Sequence, residues 1–248
     1  TIISFNYKLL FMKNSWLRVL LMTLSVFSTL FTTAQFPFGN TTYSAASYTV
    51  DGSQGAVSFV IGNKAYTGTG SYLQEFWEYD PATNVWTRKA DFPGAGRLRA
   101  VAFSIGNKGY VGTGQTSLSS TANDFWEYDP STNTWTQKAN IPVGRRQAVG
   151  FSIGSKGYVG TGATTAGTIS TDFYEYDPAT NSWTAKASLP AAARRAAAGF
   201  VIVGKGYVGT GLTTSNALLN YFLGIRPHCN KFFCNSFIRN NISINSRQ

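Results

Sequence analysis

Between residues 57 and 211, apolar and polar positions alternate in short runs that return at a nearly fixed distance. The run SFVIGNKAYTGTG at 58–70 comes back as AFSIGNKGYVGTG at 102–114, GFSIGSKGYVGTG at 150–162 and GFVIVGKGYVGTG at 199–211. Its phenylalanines, Phe59, Phe103, Phe151 and Phe200, are 44, 48 and 49 residues apart. A second block follows the first three copies: EFWEYDPATNVWTRKA at 75–90, DFWEYDPSTNTWTQKA at 124–139 and DFYEYDPATNSWTAKA at 172–187. The 3.6-residue spacing of a helical solenoid is absent, so a repeat of this length reads as β-structure.

Each copy predicts four short strands. In the second copy the first strand ends near Ile105, and Gly106-Asn107 makes a tight turn because both residue types tolerate positive φ. Lys108 to Gly114 is the second strand, and Phe125 to Tyr128 alternate across the faces of the third. In the turn Asp129-Pro130-Ser131-Thr132-Asn133, proline sets φ and asparagine takes the left-handed position. The fourth strand carries Trp135. Four strands per about 45–50 residues is one propeller blade.

The predicted fold class is therefore all-β, with four-stranded antiparallel blades at 56–90, 97–139 and 145–187 and a half blade at 194–211. Three and a half blades make an incomplete propeller, since closed ones have about four to eight.

The order of apolar strand, glycine pair, Tyr-Asp-Pro and a following tryptophan resembles kelch repeats of the galactose-oxidase-like superfamily, in particular secreted bacterial kelch-repeat proteins. Tyr79 and Trp86, Tyr128 and Trp135, and Tyr176 and Trp183 carry the likeness, each pair seven apart. So do Gly70, Gly114, Gly162 and Gly211, although the family's Gly-Gly is Thr-Gly here. The resemblance implies that the tryptophans pack between blades. It also implies that the segment joining the outer strand of one blade to the inner strand of the next lies by the central channel.

Beyond Gly211 the pattern stops. Residues 212–248 contain neither acid nor tryptophan, where a DFWEYDP block is expected. This anomalous tail fits three readings: a truncated or frame-shifted product of a longer propeller, a dimer that closes the ring by self-association, or a capping segment. At the other end, residues 1–11 precede Met12 and read as upstream sequence translated in error. Met12 to Ala34 has a basic start, an apolar run from Val19 to Phe31 and small residues before Gln35, the pattern of a signal peptide cleaved after Ala34. Residues 35–55 form a lead-in. The expected location is secreted, periplasmic or at the cell surface, with no membrane span in the mature chain.

The net charge of +10 belongs mostly to the ends. Residues 35–211 hold fourteen bases against eleven acids, so nucleic acid is not an expected partner.

Candidate chemistry is sparse. The single histidine, His228, lies outside the repeats, as do Cys229 and Cys234, which argues against a copper oxidase site and leaves no metal or cofactor to expect. The acids Glu78, Glu127, Glu175, Asp80, Asp129 and Asp177 recur once per blade, which suits architecture better than a unique active site. Trp77, Trp126 and Tyr174 share a position that fits either a sugar-stacking platform or an inter-blade contact. The candidate binding residues are arginines: Arg97 and Arg99, Arg145 and Arg146, and Arg194 and Arg195, in the segments joining one blade to the next. Guanidiniums there suit carboxylates on a protein or carbohydrate, or else pair with a turn aspartate of a neighbouring blade. The unequal loops at 70–75, 114–124 and 162–172 are a second candidate surface. The expected function is a non-catalytic binding scaffold. The alternatives are a piece of a kelch-type sugar isomerase or oxidase lacking its active-site blades, and a non-functional remnant.

Overall fold

The computed structural model describes residues 53–225 and 232–233. The segment 12–34 that reads as a signal peptide, most of the lead-in, and His228, Cys229 and Cys234 lie outside the described residues. Among the described residues no helix is long and apolar enough to cross a membrane, and no cluster of three metal-ligating side chains occurs.

The first sheet runs β1 (Val57–Ile61), β2 (Lys64–Gly68), β3 (Phe76–Asp80), β4 (Val85–Arg88), in spatial order and antiparallel throughout. The second comprises β5 (Val101–Ile105) and β6 (Lys108–Gly112), then, after a small hairpin of β7 (Gln115–Ser117) and β8 (Ser120–Thr121), β9 (Phe125–Asp129) and β10 (Thr134–Lys138). The third is β11 (Val149–Ile153), β12 (Lys156–Gly160), β13 (Phe173–Asp177) and β14 (Ser182–Lys186). The fourth is β15 (Ala198–Ile202), β16 (Lys205–Gly209), β17 (Phe222–Ile225) and β18 (Phe232–Phe233). These sheets are the blades of a β-propeller. Inner strand β1 touches β5, β5 touches β11 and β11 touches β15, whereas β15 and β1 are not in contact.

Two details differ from the sequence expectation. The second strand of a blade stops two residues early, because Thr69, Thr113, Thr161 and Thr210 turn to φ of 55–61°. The segment after Gly211 also continues the fourth blade: β17 pairs with β16 in the register that β13 adopts on β12. Where expected, Asn84, Asn133 and Asn181 occupy the left-handed region at φ of 56°, 55° and 49°.

Blades interlock by a repeated contact. Phe59, Phe103 and Phe151 are 5–7 % exposed because the next blade lies flat on each ring. That approach requires glycine in the covering strand. A Cβ on Gly157 would stand 2.5 Å from the Phe103 ring and one on Gly206 2.6 Å from Phe151, and on Gly109 it would run into Phe59. Each phenylalanine so covered contributes roughly 1.5–3 kcal/mol. At the outer edge, the Trp135 indole donates to the Ala90 carbonyl of the preceding blade at 2.9 Å and meets Phe76 edge-on. Trp183 repeats this on Ala139 and Phe125. Asn133 and Asn181 each accept from a backbone N–H of the previous blade and a tyrosine hydroxyl of their own.

The recurrent acids hold each blade together. Asp80, Asp129 and Asp177 accept the turn N–H two residues on. Glu78, Glu127 and Glu175 accept from Tyr66, Tyr110 and Tyr158 at 2.5–2.7 Å and pair with Lys89, Lys138 and Lys186. Burial and these carboxylates push the three tyrosines far above their ordinary pKa. Trp126 sits beside Phe92 of the preceding blade and donates to Asp124, so at this position the ring is an inter-blade contact.

Candidate functional site

The joining segments run Arg97-Leu98-Arg99, Arg145-Arg146-Gln147 and Arg194-Arg195-Ala196, and their three positions do different work. At the first position the carbonyl accepts an N–H from the preceding blade: Gly70 to Arg97, Gly114 to Arg145 and Gly162 to Arg194, at 2.7–2.8 Å. The second position pairs within its own blade, Leu98 with Gln115, Arg146 with Ala163 and Arg195 with Leu212. The third turns left-handed, with φ of 59° at Arg99, 55° at Gln147 and 51° at Ala196. Its N–H then reaches the equivalent carbonyl one blade back: Arg99 to Gly55, Gln147 to Arg99 and Ala196 to Gln147. A chain of hydrogen bonds thus runs from blade to blade along one rim.

This geometry removes half of the expected binding residues. Arg97, Arg145 and Arg194 are 0 % exposed and present nothing to a ligand. Arg97 forks onto Asp124 at 2.5 and 2.8 Å, and its Nη1 also donates to the Thr113 carbonyl at 2.9 Å. Arg145 does the same with Asp172 and Thr161. The partner aspartate belongs to the arginine's own blade, not to the turn of a neighbour. Burial alone would raise the pKa of Asp124 and Asp172, but the facing guanidinium outweighs it and holds both below the ordinary carboxylate value. In the fourth blade Tyr221 stands where the aspartate should be, and Arg194 donates to its hydroxyl at 2.9 Å. These arginines brace the left-handed threonines, whose carbonyls they hold and whose conformation a β-branched residue rarely adopts.

The remaining three, Arg99, Arg146 and Arg195, lie on the rim. Arg195 donates to Gln147 Oε1 at 3.1 Å and Asn216 Oδ1 at 2.8 Å, both neutral acceptors. Among the described residues neither Arg99 nor Arg146 has an ion pair, and Arg146 Nε is buried without an acceptor. Every described carboxylate is already engaged elsewhere in an ion pair. Among the described residues the rim cations are therefore left without a compensating carboxylate. Directly after the left-handed position come Ala100, Ala148 and Ala197, which help line a cavity of about 240 Å³ along the inner strands.

The loops at 114–124 and 162–172 flank this rim as short hairpins, and they touch through Thr121 and Thr165 at 2.7 Å. Sequence reasoning missed Asp124 and Asp172 as partners of the first arginines. The signal was present within the repeat: the first blade has Ser53 in place of the arginine and Glu75 in place of the aspartate. Gln147 and Asn216, which orient Arg195, had no such signal.

No family model matches the chain, and no curated protein matches it in sequence. Among solved structures it is similar to that titled "Structure of YjhT", with a TM-score of 0.70 at 19 % identity, covering 79 % of this chain and 69 % of that one. That likeness establishes the propeller fold.

Proposed function

We propose that the protein is an exported kelch-type scaffold that captures a carboxylate-bearing protein or carbohydrate at the Arg99–Arg146–Arg195 rim, without catalysis of its own. The observation that carries this reading is the charge balance. The described carboxylates are all spent on structural pairs, while three guanidiniums on one rim face none. Guanidinium matches the geometry of a carboxylate and is more weakly hydrated than ammonium, so it gives up water to a ligand at smaller cost. Recurrence of Glu78, Glu127 and Glu175 and of Asp80, Asp129 and Asp177 in the same structural roles, blade after blade, supports binding over catalysis. Export rests on the 12–34 segment, and kelch identity on the Tyr-Asp-Pro and tryptophan spacing.

The test is binding of a polyglutamate peptide and of an oligogalacturonate, followed by calorimetry at low salt. Replacing Arg99, Arg146 and Arg195 together by Met should weaken whichever probe binds by about 10- to 100-fold, at about 0.5–1 kcal/mol for each half-buried cation. Equal affinity of the triple variant and the parent for both probes would overturn the assignment.

A further inference from the structure

The fourth sheet follows the plan of the other three up to its third strand and then lacks the parts that the plan uses. Tyr66, Tyr110 and Tyr158 face Glu78, Glu127 and Glu175 across the ladder, whereas Tyr207 faces Gly224. Lys64, Lys108 and Lys156 pair with Asp80, Asp129 and Asp177, whereas Lys205 has no ion pair among the described residues. The backbone frame is nevertheless intact. Phe222 sits opposite Gly209 as Phe173 sits opposite Gly160. It also follows Gly211 by eleven residues, as Phe125 follows Gly114 and Phe173 follows Gly162. The spacing of the repeat therefore survives to Phe222 while the side chains change from Tyr221 onward.

We propose that the message changes reading frame at this point, and that the unshifted product carries Phe-Trp-Glu-Tyr-Asp-Pro as the third strand and turn of this blade. The genetic code carries the argument. TTT-TTG-GGA-ATA-CGA-CCC is a legal spelling of Phe222 to Pro227. Read from its second nucleotide it gives TTT-TGG-GAA-TAC-GAC-CC, which is Phe-Trp-Glu-Tyr-Asp-Pro, the string found at Phe76–Pro81 and Phe125–Pro130. Continuing through His228, Cys229, Asn230 and Lys231 as CAT-TGC-AAC-AAA, the same frame gives Ile-Ala-Thr-Asn. After one extra residue this is the Ala-Thr-Asn of 82–84 and 179–181, whose asparagine makes the left-handed turn. With Leu223 as TTG, the codons of Phe222 and Leu223 form a run of five thymidines, a sequence on which frame is easily lost.

The restored residues fall where the fourth sheet needs them. Glutamate replaces Gly224 opposite Tyr207, in the register of the earlier blades, and aspartate replaces Arg226, two residues on in the sequence as Asp177 follows Glu175. The restored frame also supplies an occupant for the open face of β15: a further blade of this same protein, bearing glycine over Phe200. Phe200 and Ile202 are 39 % and 54 % exposed, against 5–9 % for their counterparts in blades one to three. Blade one of a second copy does not fit there in the same way, because Ala65 stands where Gly109, Gly157 and Gly206 make the close approach.

Sequencing of the gene and its transcript across codons 219–231 tests the proposal. We expect Phe222 as TTT, a Leu223 codon ending in G, Ile225 as ATA and Arg226 as CGA. Any other codon for Ile225 or Arg226 overturns it, because the shifted frame then no longer spells Tyr-Asp. On the protein, the variant L223W/G224E/I225Y/R226D should raise the thermal midpoint of the full chain by about 3 °C or more. A midpoint at or below that of the parent overturns the claim that this strand belongs to the sheet.

Discussion

Consider replacement of Arg145 by methionine. The guanidinium is 1 % exposed in its side chain and donates four hydrogen bonds: two to Asp172, one to the Thr161 carbonyl and one to the Val143 carbonyl. Methionine fills most of the volume but leaves the Thr161 carbonyl unpaired and Asp172 without its cation. Breaking a buried pair from one side costs about 3–5 kcal/mol. Asp172 retains the Ser170 hydroxyl and is 28 % exposed, so water solvates part of its charge and the lower end, about 3 kcal/mol, is expected. In urea unfolding this appears as a lower midpoint at unchanged slope, and on heating as a fall of about 6–12 °C. The adjacent Arg146→Met variant should stay within about 0.5 kcal/mol of the parent, because Arg146 bonds Ala163 through its backbone, which the change keeps, and its side chain has no ion pair among the described residues. The double variant R145M/D172L should recover most of the loss, since it strands no charge. A cost below about 1 kcal/mol for Arg145→Met, or one equal to that of Arg146→Met, would refute the division of the arginine pairs into a buried brace and a rim ligand.

Three further outcomes follow from the same structure. Asp124, Asp172 and Asp177 are held below the ordinary aspartate value of 3.8, so their contribution to stability is complete above that pH and is lost as pH falls through their lower folded values; acid titration by circular dichroism should show the melting point steady above about pH 5 and falling below pH 4. Tyr66, Tyr110, Tyr128, Tyr158 and Tyr176 are raised above 10.0, so stability should instead decline as pH climbs past that value; ultraviolet titration should find these phenols ionising only with unfolding, and reversible ionisation near pH 10 in the folded protein would contradict their burial. For the outer-edge contact, Trp183→Leu removes the hydrogen bond to Ala139 and the edge-on contact with Phe125, and calorimetry should report a loss of about 2–4 kcal/mol.

The blades were legible because a repeat reports the same constraint several times. Phe59, Phe103 and Phe151 recur at blade spacing, and so do the asparagines that must turn left-handed. The two arginines of each pair were not separable by this route, since residues of one type within two positions of each other carry no mark of which points inward. That choice is set by tertiary neighbours: Asp124 and Asp172 lie 27 residues downstream of Arg97 and Arg145. The third strand of the fourth blade was hidden for a different reason. Its side chains no longer alternate like those of a blade, but the strand pairs through its backbone, and the same eleven-position step from the preceding glycine delivers it to the correct register.

The covering of each phenylalanine by the next blade's glycine gives the array a direction, and with it a rule for how such a gene can lengthen. Blades two and three each carry both halves of the joint, glycine on the leading face and phenylalanine on the trailing one. Duplicating either unit, of 48 and 49 residues respectively, adds a blade that fits both neighbours without further substitution. The first blade carries Ala65 in place of that glycine, so a copy of it placed in the interior would force apart the joint it entered. Growth by tandem duplication is thus open to the middle of the chain and closed to its head.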